Sequence, residues 1–122
     1  MKADTGSKRV PIAAVTALIV DAMAKSGVPT PDAAKIAELM VEADLTGADA
    51  HGVFRLPQYV MRLKLGSTNA RPDIKVNRTA PATALVDGDN GMGHLVVARA
   101  AETAIELARE SGVAWVGCFM SG

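Results

Sequence analysis

Thr83-Ala-Leu-Val-Asp87, then Gly88-Asp-Asn-Gly-Met-Gly93, then a helical pattern to Ser111-Gly112, then Val113-Ala-Trp-Val-Gly-Cys-Phe119 is the stretch that decides the fold. Thr83–Asp87 is short and rich in β-formers, and Val113–Phe119 is almost wholly apolar, as buried strands are. Between them Leu95, Ala98, Ala101, Ile105 and Ala108 recur at helical spacing, with Arg99, Glu102, Glu106 and Arg109 on the opposite side. A strand–helix–strand unit of this length predicts two parallel neighbouring strands joined by a right-handed crossover. The glycine-rich segment between strand and helix invites a phosphate-binding reading, because helix N-termini attract anions. Its order is G-x-x-G-x-G, however, and no acidic residue ends a following strand, so a tight strand-to-helix turn is the simpler account. His94 is then a first-turn residue rather than a ligand.

Upstream, residues 66–73 are rich in Gly, Ser, Asn and Pro and mark a boundary, and residues 74–77 form a short strand at most. Everything before that boundary reads as helix. Ile12, Val15, Leu18, Ile19, Ala22 and Met23 make one apolar stripe in a helix from about Pro11 to Lys25, which Ser26-Gly27 stops. Thr30-Pro31-Asp32 is a start signal, with a hydroxyl cap, a proline and an acid in the first turn. The helix it opens runs to about Leu45, with Ile36, Ala37, Leu39, Met40 and Ala43 inward and Lys35, Glu38 and Glu42 on a solvated face. Pro57 is tolerated only in a first turn, so a third helix runs from near Phe54 to about Leu65. The fold class is therefore α/β (α+β): a helical subdomain over residues 9–67, then the start of an α/β domain over 68–122, with residues 1–8 a small, polar, disordered tail.

Composition narrows the function. With 49% hydrophobic and 21% charged residues the chain is too apolar for disorder. Its 13 basic and 13 acidic side chains cancel and nothing basic is clustered, which excludes nucleic acid and anionic membrane as expected partners. Cys118 is the only cysteine, so no internal disulfide and no thiolate metal cluster can form, and it is expected as a small buried hydrophobe. No metal site is expected from the His, Asp and Glu spacing. Lys2, Lys8 and Arg9 before an apolar run, with Ala22-Met23-Ala24 beyond, have the form of a signal peptide and would make the protein periplasmic. The helical spacing of that run, with Thr16 and Lys25 opposite it, favours a core helix in a cytoplasmic protein.

The chemistry sits between the second and third helices, in Ala48-Asp-Ala-His51-Gly52-Val-Phe-Arg55-Leu-Pro-Gln-Tyr59. His51 lies on a bend before the helix, followed by a glycine that lets the backbone turn sharply. Imidazole takes up and releases protons near neutrality, and guanidinium grips a carboxylate through paired hydrogen bonds. Spacing alone also fits a capping or surface histidine.

Residues 48–63, together with Asn69-Ala-Arg-Pro72, residues 86–94 and Gly112-Val-Ala-Trp-Val116, resemble the type-2 malate/L-lactate dehydrogenase family, which includes ureidoglycolate, sulfolactate and diketogulonate dehydrogenases or reductases. The resemblance implies a non-Rossmann cofactor domain, NAD or NADP as cofactor, and a homodimer. It also implies hydride transfer at C2 of a small 2-hydroxy or 2-oxo acid, with His51 as catalytic acid and base and Arg55 binding the substrate carboxylate. Cofactor-binding residues are not identified by it. Many members carry Ser where this chain has Ala50. Members also continue well beyond residue 122, so the expectation is an N-terminal fragment or truncated product, inactive alone. The alternative is a non-catalytic helical module acting in subunit or partner association.

Overall fold

The structure, a computed structural model, describes residue 6 and residues 8–122. The expected disordered tail at residues 1–8 falls, apart from residues 6 and 8, outside the described residues. In chain order the elements are α1 (Ile12–Lys25), α2 (Thr30–Leu45), two 3-10 turns (Asp49–His51 and Val53–Arg55), α3 (Leu56–Lys64), β1 (Lys75–Ala80), β2 (Thr83–Gly91), α4 (Gly93–Ser111) and β3 (Trp115–Ser121).

The helices form where capping and proline chemistry allow. Both α1 and α2 are preceded by proline, Pro11 and Pro29, in extended backbone. Thr30 is the first helical residue of α2 and makes no capping hydrogen bond, because Pro29 already sets the chain direction one residue earlier. Its expected role as a hydroxyl cap is therefore corrected. Pro57 stands in the first turn of α3, where its missing N–H costs nothing. The turn expected at Phe54 is 3-10, and α3 proper begins at Leu56.

The strands form one sheet of order β1-β2-β3 among the described residues. β1 and β2 are an antiparallel hairpin, with Lys75 opposite Asp87 and Ala80 opposite Thr83. β2 and β3 are parallel, with Thr83 opposite Trp115 and Asp87 opposite Phe119. They are the parallel neighbours expected of the strand–helix–strand unit, with α4 between them in sequence. β2 outruns its expected end because the register shifts after Asp87 and pairing resumes at Gly91 with Ser121. The shift is absorbed by Asp89 and Asn90, both left-handed (φ 48° and 55°), residue types that tolerate that conformation. Gly88 permits the close approach of α4: a Cβ there would collide with the Met120 carbonyl and with Val96, 2.7 Å away.

Two apolar clusters hold the elements. The larger joins Ile19, Met23, Ile36, Met40, Leu56 and Leu63 of the helices with Met92, which precedes α4. The smaller is Val86, Val96 and Ala100, with Ile74 and Val116 against it. The face of α4 that is buried is therefore Val96, Ala100, Thr103 and Leu107. The stripe expected inward, from Leu95 to Ala108, is rotated from it, and Ile105 is 53% exposed. Both stripes have helical spacing on an alanine-rich helix; the position of β2 beneath α4 selects one. Ile12 and Leu18, expected inward on α1, are also exposed, because α1 packs on its α2 side through Ile19 and Met23. Cys118, expected buried, is exposed. It lies on β3, the last strand in the sheet order, and α4 covers its neighbour Val86 instead.

Candidate functional site

The bend between α2 and α3 is built from short-range hydrogen bonds. The His51 N–H donates to the Ala48 carbonyl (2.8 Å), the Gly52 N–H to Asp49 (3.2 Å), and the Arg55 N–H to Gly52 (3.0 Å). His51 ends the first 3-10 turn and Arg55 ends the second, with buried Gly52 between them. His51 is exposed and Arg55 half-buried. The Arg55 side chain folds back over the bend: Nε donates to the Ala50 carbonyl (2.8 Å) and Nη1 to Gln58 Oε1 (2.8 Å). This leaves the Nη2 N–H groups without a protein partner among the described residues. A planar guanidinium held in one orientation is suited to a carboxylate.

Two further polar rings meet near the bend. Tyr59 of α3 and His94 of the first turn of α4 meet edge to face, ring centroids 5.3 Å apart and planes at 87°. Burial holds the His94 imidazole below its ordinary value, and the nearby charge of His51 lowers it further. His94 Nδ1 is buried and has no hydrogen-bond partner. His94, read from the sequence as a first-turn residue, does occupy the first turn, and the fold also brings it within reach of the charge of His51. Nothing in the spacing of residues 51 and 94 signals that meeting. Asp44, in the last turn of α2, reaches across nine residues to accept the Val53 N–H (2.9 Å), a contact sequence reasoning missed.

In the turn before α4 the first helical N–H is already bonded. The Gly93 N–H at the helix start donates to the Gly122 carbonyl (2.8 Å), and the Gly122 N–H donates to Gly91 (2.8 Å). The bond from Gly93 takes up one of the N–H groups a phosphate at this helix start would use. Among the described residues no group of three or more His, Cys, Asp or Glu could hold a metal ion. No helix among them is long and apolar enough to cross a membrane. A groove of about 380 Å³ beside α2 and α4 includes Asp32, Lys35, Arg99 and Glu102 in its lining, but neither His51 nor Arg55. Lys35 and Arg99 are already paired there with Glu38 and Glu102.

The sequence model of the malate/L-lactate dehydrogenase family matches residues 10–122. The chain belongs to this family. It is 49% identical over 96 residues to an L-sulfolactate dehydrogenase of Methanocaldococcus jannaschii, covering 79% of this chain and 28% of that protein. It is 34% identical over 105 residues to the NAD(+) ureidoglycolate dehydrogenase of Escherichia coli, covering 86% and 30%. The fold is similar to the malate dehydrogenase structure from Pyrococcus horikoshii, with a TM-score of 0.87 at 40% identity over 95% of this chain and 33% of that one. The chain thus spans roughly three-tenths of the length of the relatives it matches.

Proposed function

We propose that this member of the malate/L-lactate dehydrogenase family supplies the proton-transfer and carboxylate-binding part of an NAD(P)-dependent 2-hydroxy acid dehydrogenase. In reduction His51 gives a proton to the C2 carbonyl oxygen of a 2-oxo acid; in oxidation it removes the hydroxyl proton. Arg55 holds the carboxylate, which fixes C2 relative to His51. A bound nicotinamide supplies the hydride chemistry. The turn at Gly88–Gly93 is not assigned to it, since the Gly93 N–H is bonded to the Gly122 carbonyl and the Asp89 N–H to the Asp87 carboxylate. Residues 9–67 then act as the helical subdomain that carries the site, and residues 68–122 as part of the domain it closes against. The assembled enzyme is a cytoplasmic homodimer acting on small acids.

One observation carries this reading: the Arg55 guanidinium is tied to the carbonyl of Ala50, the residue directly before His51. The two groups are thereby parts of one rigid bend. Ala50 lacks the hydroxyl common in the family at this position and contributes through its backbone. Sulfolactate, malate and ureidoglycolate, the acids in the relatives' names, are the substrates to try.

The test is a chimera in which residues 1–122 replace the matching third of the Pyrococcus horikoshii malate dehydrogenase. Arg55→Ala is expected to raise KM for the acid far more than it lowers kcat. The 122-residue polypeptide by itself is expected to show no turnover with NADH or NADPH. Turnover by that polypeptide, or an unchanged KM in Arg55→Ala, overturns the reading.

A further inference from the structure

Asp44 stands where helix electrostatics disfavour it. The C-terminal end of a helix carries partial negative charge, which favours cations, yet the last turn of α2 holds Asp44 and no basic residue. The contacts supply a reason. Val53 opens the second 3-10 turn, so its N–H has no partner within that turn. Asp44 Oδ2 accepts it at 2.9 Å. The carboxylate lies so close over Gly52 that a Cβ at that position would overlap Asp44 Oδ1, Oδ2 and Cγ. Gly52 is buried, with φ −90° and ψ −152°, an extended conformation open to any residue. The need for glycine here is one of space for the carboxylate, not of backbone freedom.

We infer that Asp44 is a positioning residue: its carboxylate, admitted by Gly52, latches the bend so that His51 and Arg55 are presented together. The other hydrogen bonds of the bend are made among residues 48–58, except at its first residue, where the Ala48 N–H donates to the Ala43 carbonyl of α2 (2.8 Å). Asp44 is the side chain that ties the bend to α2, and α2 is anchored in the core through Ile36, Met40 and Val41. The latch rests on the reading of His51 and Arg55 given above for its purpose, but not for its existence. The amide oxygen of asparagine can accept the same N–H, so Asp44→Asn keeps the latch and removes the charge, while Asp44→Ala removes both.

The test is nuclear magnetic resonance on the 122-residue chain, in which His51 and His94 are the only imidazoles. In the parent protein the Val53 amide should be protected from hydrogen exchange. In Asp44→Ala it should exchange about tenfold faster or more, the scale of one lost bond to a charged acceptor. The Val86 and Val96 amides should not change. Asp44→Asn should restore the Val53 protection. The second readout is the His94 ring titration. With the bend released, the charge of His51 no longer opposes His94 protonation, so the His94 midpoint rises in Asp44→Ala and returns in Asp44→Asn. A purely structural role would not move that midpoint selectively. If Asp44→Ala fails to fold, Gly52→Ala carries the same readouts, since its methyl group must displace the carboxylate. Unaltered Val53 exchange in both Asp44→Ala and Gly52→Ala overturns the proposal, as does Asp44→Asn as fast as Asp44→Ala, or an unmoved His94 midpoint. Kinetics of the chimera with His51→Ala judge the catalytic reading separately, and that reading can fail while the Val53 result stands.

Discussion

Two of the glycine-containing turns that lead into a helix each deliver a histidine, and they differ in how they are packed. The bend before α3 is short, lies largely at the surface, and is tied down by side chains: Asp44 on the Val53 N–H and Arg55 on the Ala50 carbonyl. The turn before α4 is tied by main chain, through Gly93 to Gly122, Gly122 to Gly91 and Asn69 to Asn90 (each 2.8 Å). Side chains tie it too: the Asp89 carboxylate accepts from Asn69 Nδ2 (3.0 Å) and from the Asp73 N–H (2.9 Å), and Asn90 Nδ2 donates to the Ser67 carbonyl (2.7 Å). Each turn delivers one of the two histidines, His51 exposed and His94 half-buried. The difference teaches that packing, not the kind of bond that holds a turn, decides what stays available for a ligand: the bend leaves the His51 ring at the surface. The turn before α4 lies against the helical core through Met92, and its histidine meets Tyr59 instead.

The largest expected effect tests which histidine does chemistry. In the chimera, His51→Ala is expected to slow turnover by about a hundred- to ten-thousand-fold, the usual worth of positioned proton transfer. His94→Gln is expected to slow it by less than about tenfold, since buried His94 acts through its neighbours. Equal losses in the two variants would erase the distinction between the turns.

Stability should respond the other way round. Met92, in the turn before α4, is buried in the helical core, whereas Phe54, in the bend before α3, is 76% exposed. Met92→Ala should cost about 2–4 kcal/mol through lost burial and a cavity, and Phe54→Ala should stay within about 0.5 kcal/mol. Urea melts of the two variants check this ordering; a larger loss for Phe54→Ala would reverse it.

The smallest effect is on pH dependence. Burial, and then His51, lower the folded-state value of His94 below that of the unfolded chain, about 6.5. The unfolded chain therefore binds the proton first. The stability from neutral His94 is complete above about pH 6.5 and is lost as pH falls through that value toward and past the lowered one. Urea midpoints at pH 7.5 and 5.5 should drop more in the parent chain than in His94→Gln. Equal drops would mean that His94 does not feel its burial.

Much of the fold was legible because its signals are local. Pro11, Pro31 and Pro57 place helix starts, and Ser26-Gly27 and Ser111-Gly112 place helix ends within a residue or two. The parallel pair follows from the length of the crossover. The inward face of α4 was not legible: an alanine-rich helix offers two stripes, and the chosen one is set by where β2 lies. Cys118 misled in the same way, since an apolar strand reads as buried until its place at the side of the sheet is known. In the site, the His51 and Arg55 pair could be singled out by residue type and by family resemblance. Asp44 was hidden among the other acids of α2, and only its odd position at the helix C-terminus hinted at a partner.

The sequence by itself determined the order of the elements, the helical run before the strand–helix–strand unit, and the bend that carries His51 and Arg55. Those depend on backbone dihedrals and periodicities that act within a few residues. Tertiary structure alone decided that Asp44 would close over Gly52, that His94 would feel the charge of His51 and pack against Tyr59, and that Met92 would join the helical core. These contacts join residues from 8 to about 70 positions apart. They form only when burying the apolar faces of α2, α3 and α4 together brings those positions into reach, and no local preference encodes that meeting.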